Sequence, residues 1–281
     1  MDRSRDRADR PPGAAAVRLR TAALAVAAGL LVALTAGFFA LPLVAIYVQG
    51  DVLGGLRSSG ATTALRISFE SSAIAVGLML TVGTPVAYLL AVSPLPGRGL
   101  LLTLFELPLV LPPAVAGIGL LAAFGRVGLL GSTLHAAGIE LPFTFAAVVL
   151  AMTFVAGPFY LRQAVSAFAA IDPDLLAASR TLGAGPLRTM LRVAIPVAGQ
   201  GLGAGAALGW ARAIGEFGAT IMFAGSLPGV TETAPVAIYL DLEQGLGQAL
   251  ALGGALVAVS AVVLVAVKLL ARGGLPRFTP G

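Results

Sequence analysis

Apolar residues run in six long blocks, at 21–48, 62–92, 100–124, 142–161, 197–224 and 246–270. A helix needs about 20 mostly apolar residues to cross a bilayer. The pattern therefore predicts an all-α membrane protein with about six transmembrane helices. Three polar stretches interrupt it. Residues 1–20 hold six arginines and three aspartates among prolines, a composition expected to stay disordered. Residues 172–196 form a charged island between the fourth and fifth blocks. Residues 273–281 make a short tail, which leaves 21–272 as the transmembrane domain. An Arg-rich start before an apolar run also describes a secretory signal. The run 21–48 is about twice the 7–15 residues of a signal core, so a retained first helix is expected.

Composition narrows the function. The chain has 281 residues, 58% hydrophobic and 11% charged, where soluble domains carry about 25% charged residues. That excludes a soluble enzyme or a nucleic-acid binder. No cysteine is present, so disulfides, thiolate nucleophiles and Cys-ligated metals are excluded. The one histidine, His135, falls in an outer loop with no second ligand-type cluster, and no metal or cofactor is expected. An intramembrane enzyme would need a nucleophile with a base, which the spans do not offer. The one lysine, Lys268, follows Val267, so there is no Walker A sequence. If ATP drives this chain, another subunit binds it.

Charge placement sets orientation. With the N-terminus inside, the six tail arginines, Arg98, Arg162, Arg180, Arg188, Arg192, Lys268, Arg272 and Arg277 all lie in cytoplasmic segments. Only Arg57 and Arg126 fall outside, and Arg66 and Arg212 fall within spans. Outer loops carry Asp51, Glu140, Glu232, Asp241 and Glu243 instead. Six spans with both ends in the cytoplasm fit this split.

The island reads as a helical elbow. Asp172 suits an N-cap and Pro173 the first helical position, while Asp174 complements the positive helix end. That helix should reach about Leu182, with Gly183 in the left-handed position that follows. A second short helix starts at Pro186, has Leu187, Met190 and Leu191 on one face and Arg188 and Arg192 on another, and is expected to stop at Pro196. Physics alone leaves two uses open: a docking surface for a partner, or an amphipathic elbow lying on anionic headgroups.

Within the spans, four features stand out. Gly201, Gly205, Gly209 and Ala213 recur every four residues, a seam that lets helices approach closely. Pro108, Pro112 and Pro113 should kink the third span, either beside a water-filled path or merely to fit packing. Arg66/Glu70 and Arg212/Glu216 are each spaced for an intrahelical pair. They are read as structural pairs near the outer interface or as a positive field for a passing anion. Glu106, alone on the third span, should reach Arg98 or an arginine of the elbow.

Ala177-Ala178-Ser179, Gly183, Val193 and Ile195-Pro196 resemble the cytoplasmic loop motif of ABC-transporter permeases of the binding-protein-dependent import type. The motif spacing is kept; Ala177 replaces a glutamate, Ser179 an alanine, Val193 an isoleucine and Ile195 a leucine. Further stretches resemble the molybdate/sulfate branch of that family, closest to molybdate permeases. They are Arg180-Thr181-Leu182-Gly183-Ala184, the run from Arg212 through Gly215-Glu216-Phe217 to Thr220, the run Pro228 to Tyr239, the run Pro108 to Gly117, and Leu141-Pro142-Phe143-Thr144. The resemblance implies a type I ABC importer permease fold in a bacterial cell membrane. It implies a homodimer in lipid, two cytoplasmic ATPase subunits and an extracytoplasmic oxyanion-binding protein. In the family the elbow is the coupling helix, which places Asp174, Ala177, Ala178, Ser179, Arg180, Leu182, Gly183 and Arg188 against the ATPase. Pro112, Pro113, Thr144, Arg212, Glu216, Phe217 and Thr220 are the candidate pathway residues, with Thr153 and Ser226 as further hydroxyl donors for a tetrahedral dianion. Molybdate is the expected cargo, with tungstate on the same route. The alternatives are a sulfate or thiosulfate permease, and an ion-coupled carrier that needs no ATPase.

Overall fold

A computed structural model describes residues 14–57 and 59–273. The disorder expected of the tail 1–20 falls, for 1–13, outside the described residues, as does the final tail from 274 on. The chain divides into two units after Gly50. The first contains α1 (Ala14–Gln49), apolar and almost wholly exposed from Thr21 on, which starts seven residues before the expected end of the tail.

In the second unit the elements are α2 (Val52–Arg57), α3 (Ser59–Leu78), α4 (Thr84–Val92), α5 (Arg98–Val110), α6 (Pro113–Phe124), α7 (Gly131–Ala136), α8 (Phe145–Ala169), α9 (Pro173–Thr181), α10 (Pro186–Thr189), α11 (Ile195–Ile214), α12 (Gly218–Ala224), α13 (Ala234–Gln244) and α14 (Leu246–Gly273). Every element among the described residues is helical. Five stretches are long and apolar enough to cross a membrane, and the bent pair α5–α6 makes a sixth.

Prolines shape this fold in two ways. Leu111 and Pro112 each precede a proline, which forces both out of the helical region; they sit at φ −72°, ψ 131° and φ −54°, ψ 134°. Two consecutive extended residues swing α6 away from α5 by 117°. The block 100–124, expected as one kinked span, is therefore a broken pair. At Pro85 and Pro196 the outcome is milder. A π-helical turn, Met79–Gly83 or Met190–Ala194, directly precedes each helix that has its proline in the first turn. Widening the turn makes room for a ring that would otherwise strike the carbonyl four residues back. Pro196 thus does not stop the elbow's second helix. The helix runs through it into α11, and the Ile195 N–H bonds Met190 O.

Two further boundaries differ from expectation. The block 197–224 breaks at Gly215–Phe217, where weak helix formers meet a carboxylate that caps the next helix. The segment 225–245, expected as outer loop, contains α13.

The core lies along α8. Val148, Ala151, Met152, Ala156, Tyr160, Ala164 and Phe168 are buried against α3, α4, α11 and α12. The glycine seam of α11 meets this helix. A β-carbon at Gly201 would sit 2.4 Å from the Ala167 Cβ, one at Gly205 3.1 Å from the Gln163 Cβ, and one at Gly209 3.2 Å from the Met79 sulfur. Ala213 ends the seam fully buried. Polar side chains tie the other helices in. Ser68 Oγ accepts the Ala234 N–H at 2.7 Å, Ser72 Oγ accepts the Trp210 indole N–H at 3.2 Å, and the Thr84 and Tyr160 hydroxyls bond at 2.5 Å. A smaller cluster of Leu65, Ala237, Leu252 and Ala255 joins α3, α13 and α14.

Overpacking a tight helix contact costs about 1–3 kcal/mol. Gly201→Leu should lower the thermal midpoint of the purified protein in detergent. Gly203→Ala, whose new methyl would meet nothing within 4 Å, should not.

Candidate functional site

The elbow is built as its residues dictate. Asp172 Oδ1 accepts the Asp174 N–H at 2.9 Å, and Pro173 opens α9. At the far end the Leu182 N–H bonds Ala178 O, and Gly183 takes φ +79°. A side chain would be strained there, so glycine lets the chain reverse into α10. Ile171, Leu176, Met190 and Ala194 anchor the elbow in the core beside Phe168. Ser179 and Thr189, both buried, bond hydroxyl to hydroxyl at 2.7 Å and tie α9 to α10. Ser179, which replaces the motif alanine, thus holds the hairpin's shape from inside. Asp174, Ala177, Ala178, Arg180, Leu182, Gly183 and Arg188 all face outward. Leu182 is 88% exposed at the tip, with Leu175, Leu187 and Leu191 also open. The core-anchored hairpin thus presents an apolar tip together with the exposed Arg180, Arg188 and Arg192.

At the other end of α11, about 30 Å away at ~1.5 Å per residue, lies a second cluster. Arg212 Nη2 meets Glu216 Oε2 at 2.6 Å, and Glu216, 1% exposed, also accepts the Ala219 N–H at 2.8 Å through Oε1. One carboxylate therefore neutralises an arginine and satisfies the start of α12. The Phe217 ring lies 5.1 Å from that of Tyr239. The broken third span meets this corner directly: a β-carbon at Gly218 would sit 2.7 Å from the Pro113 Cβ, and one at Gly117 2.7 Å from Ala219 O. Thr220 is buried, and among the described residues its hydroxyl has no partner.

The structure therefore brings Pro112, Pro113, Arg212, Glu216, Phe217 and Thr220 to one corner where two helices are interrupted. Thr144 borders it through Phe143, whose N–H bonds Phe223 O at 3.4 Å. The Thr144 hydroxyl itself caps α8, donating to Leu141 O at 2.6 Å and accepting the Ala147 N–H. Thr153 bonds Val149 O on its own helix, and Ser226 bonds Glu232. Arg66 and Glu70 pair at 3.8 Å on an exposed face of α3. His135 pairs with Glu140 at 3.5 Å.

Glu106 reaches neither Arg98 nor the elbow. It pairs with Arg162 at 3.8 Å. Arg162, expected in the cytoplasmic loop, lies within α8, because that helix runs eight residues past the expected end of the fourth span. The serines that join α3 to α11 and α13 also went unread. Their signal was there, since Ser68 and Ser72 lie four apart in an apolar helix, the spacing of one face.

Residues 83–273 match the family model described as the inner membrane component of binding-protein-dependent transport systems. The chain belongs to this family. Among its relatives, the molybdenum transport system permease protein ModB of Mycobacterium tuberculosis is 43% identical over 82% of this chain and 88% of its own length. ModB of Escherichia coli K12 is 36% identical over 77% and 93%. The probable transport system permease protein NifC of Clostridium pasteurianum is 35% identical over 88% and 89%. Solved structures share the fold. A chain of a bacterial ABC transporter that imports the polysaccharide alginate superposes with a TM-score of 0.67 at 15% identity, covering 90% of this chain and 96% of its own. A chain of the MetNI methionine ABC transporter gives 0.58 at 20% identity, covering 81% and 100%. The permease is thus a multi-pass membrane protein with the importer fold that its motif resemblance implies.

The hydroxyl pair in the permease's elbow yields a direct test. Ser179→Ala leaves the Thr189 hydroxyl buried without a partner, which costs about 1–3 kcal/mol. Thermal unfolding should show that loss, and adding Thr189→Val should recover most of it.

Proposed function

We propose that the chain is the translocating subunit of an ABC importer for molybdate, with tungstate sharing the route. Two copies form the path along a two-fold axis in the lipid bilayer. Two ATPase subunits sit on the cytoplasmic face, and an extracytoplasmic oxyanion-binding protein delivers the ion. Both termini face the cytoplasm of a bacterial cell, with 1–20 and 273–281 as tails of the transmembrane domain 21–272. The relatives named for molybdenum transport support the cargo. The observation that carries the mechanism is the elbow at 172–196: a core-anchored hairpin with Leu182 bare at its tip, at one end of α11, while the interrupted corner lies at the other.

On this reading Leu182, Gly183, Ala177, Ala178, Asp174, Arg180 and Arg188 meet the ATPase, and Ser179 keeps that surface in shape. ATP binding draws the two elbows together. Helices α8 and α11 follow as one body, because the glycine seam leaves no room for slip. The corner at Pro112, Pro113, Phe217 and Thr220 then opens toward the outside and accepts the ion. This is alternating access driven by the ATPase's unequal affinity for two conformations. A charge of opposite sign held too tightly would trap a dianion, and passage requires release. The Arg212–Glu216 pair meets that demand by being neutral overall.

Two measurements in proteoliposomes check the reading. Leu182→Glu puts a charge into the apolar docking tip and should cut uptake per ATP hydrolysed by about tenfold, the worth of one good apolar contact, while the subunit still inserts. Molybdate uptake should persist in a modest excess of sulfate; its abolition would make the cargo sulfate.

A further inference from the structure

The ion pair between α5 and α8 belongs to neither the elbow nor the far corner. Arg162 Nε lies 3.8 Å from Glu106 Oε1, and the two side chains are 70% and 44% exposed. That separation is longer than a hydrogen bond. Among the described residues, the guanidinium makes no hydrogen bond. Arg162 is five residues past the middle of the 25-residue helix α8, which is about 8 Å from midspan at ~1.5 Å per residue. The hydrocarbon core extends about 15 Å either side of the midplane, so with α8 centred in the bilayer this charge falls inside it, in the half nearer the elbow. The other two pairs differ. Arg212 is tied to a buried carboxylate, and Arg66 lies only six residues into its span, Gly60–Val92, at the end away from the elbow.

An open guanidinium and carboxylate facing acyl chains would be costly. Charges at this depth face water-filled cavities or protein. Beside the pair, a groove of about 550 Å³ opens between α5, α8 and the π turn joining α3 to α4; its walls are mostly apolar, Phe105, Pro108, Phe154 and Leu161 among them, and the two charges lie at its border. The face of α5 and α8 that carries the pair is therefore not packed within the chain.

We infer that Arg162 is an anion-binding residue on the inner half of the translocation path, where the oxygens of the departing oxyanion meet its guanidinium. This rests on the reading of the chain as an oxyanion permease. The planar fork of N–H donors suits a tetrahedral oxyanion. Glu106, close by yet not hydrogen-bonded, positions the guanidinium and lowers its hold on an anion. The ion is attracted and then let go, as conduction needs. The rival occupants of this face are lipid and an acidic side chain of the second copy.

The absence of cysteine makes the test clean. Glu106→Cys gives this subunit its one thiol, beside Arg162, and the labelling of this subunit is followed in the complete complex with its ATPase, in membranes. The thiol is then modified with an anionic sulfonatoethyl or a cationic trimethylammonioethyl methanethiosulfonate. Both should react, the anionic one faster. Adding Arg162→Gln should lower the anionic-to-cationic rate ratio about tenfold, as expected for removing one charge a few ångströms away in a wet cavity. Molybdate should slow the anionic reagent only while Arg162 is present. Leu161→Cys repeats the measurement with Glu106 intact, in case the first variant does not assemble. A thiol unreactive to both reagents at both positions means lipid or the second copy covers this face, and overturns the inference. So does a ratio unmoved by Arg162→Gln, or the absence of slowing by any oxyanion. Slowing by sulfate but not molybdate supports the role of Arg162 and overturns the molybdate reading instead.

Discussion

Everything in the second unit is referred to the contact between α8 and α11. Gly201, Gly205 and Gly209 remove the side chains that would hold the two helices apart, and Ala167, Gln163 and Tyr160 fill the space directly. In a bilayer no hydrophobic effect drives helices together, since lipid is as apolar as leucine. Association depends on close van der Waals fit and a few polar bonds. The seam supplies the fit. Trp210 bonding Ser72, and Ala234 bonding Ser68, supply the polar ties. A helix packed this closely transmits displacement along its length, because a packed contact has few alternative arrangements. On the proposed reading, that makes α11 a lever with the elbow at one end and the broken corner at the other.

Both ends solve the same problem, an interrupted helix whose free backbone groups must be satisfied. At the elbow the interruption is capped by Asp172 and by the left-handed Gly183. The far corner uses Glu216, which serves Arg212 and the Ala219 N–H together. Removing that carboxylate would orphan a cation and a donor at once, and a half-satisfied buried network is worse than none. The prolines divide by context. One proline lets a span continue through a π turn, whereas the Leu111-Pro112-Pro113 run fixes two extended residues and turns the chain back. The broken pair then docks on α12, where Gly117 and Gly218 permit backbone contact.

Much of this was legible in the chain. Six apolar blocks, the caps at Asp172 and Gly183, the i,i+4 pair Arg212–Glu216 and the glycine seam are all local patterns, and local patterns survive folding. What the seam would pack against was not legible, because that partner lies some forty residues away. Hydropathy also blurs helix ends. The polar Arg162 and Gln163 suggested that the fourth span had finished, yet α8 continues to Ala169 because Ala164, Val165 and Phe168 still pack on the core. That continuation also brings Arg162 to Glu106. Proline chemistry predicts a stop at Pro196, where one wider turn instead absorbs the missing N–H. The segment 225–245 looked like loop because it carries acids, and α13 forms there through burial of Ala234, Val236 and Ala237.

If α8 and α11 move as one body, fastening them together must not impede transport. Gln163→Cys with Gly205→Cys would give the chain its only disulfide, at a site where the native Gln163 Cβ lies 3.1 Å from a β-carbon built on Gly205, slightly inside the usual range of about 3.5–4.5 Å. ATP-dependent oxyanion uptake should be measured in proteoliposomes before oxidation, after it, and after reduction. Uptake that stays the same through all three is what a rigid lever requires. Uptake that stops on oxidation and returns on reduction would show the two helices sliding past each other, and the seam would then be a bearing and not a lever.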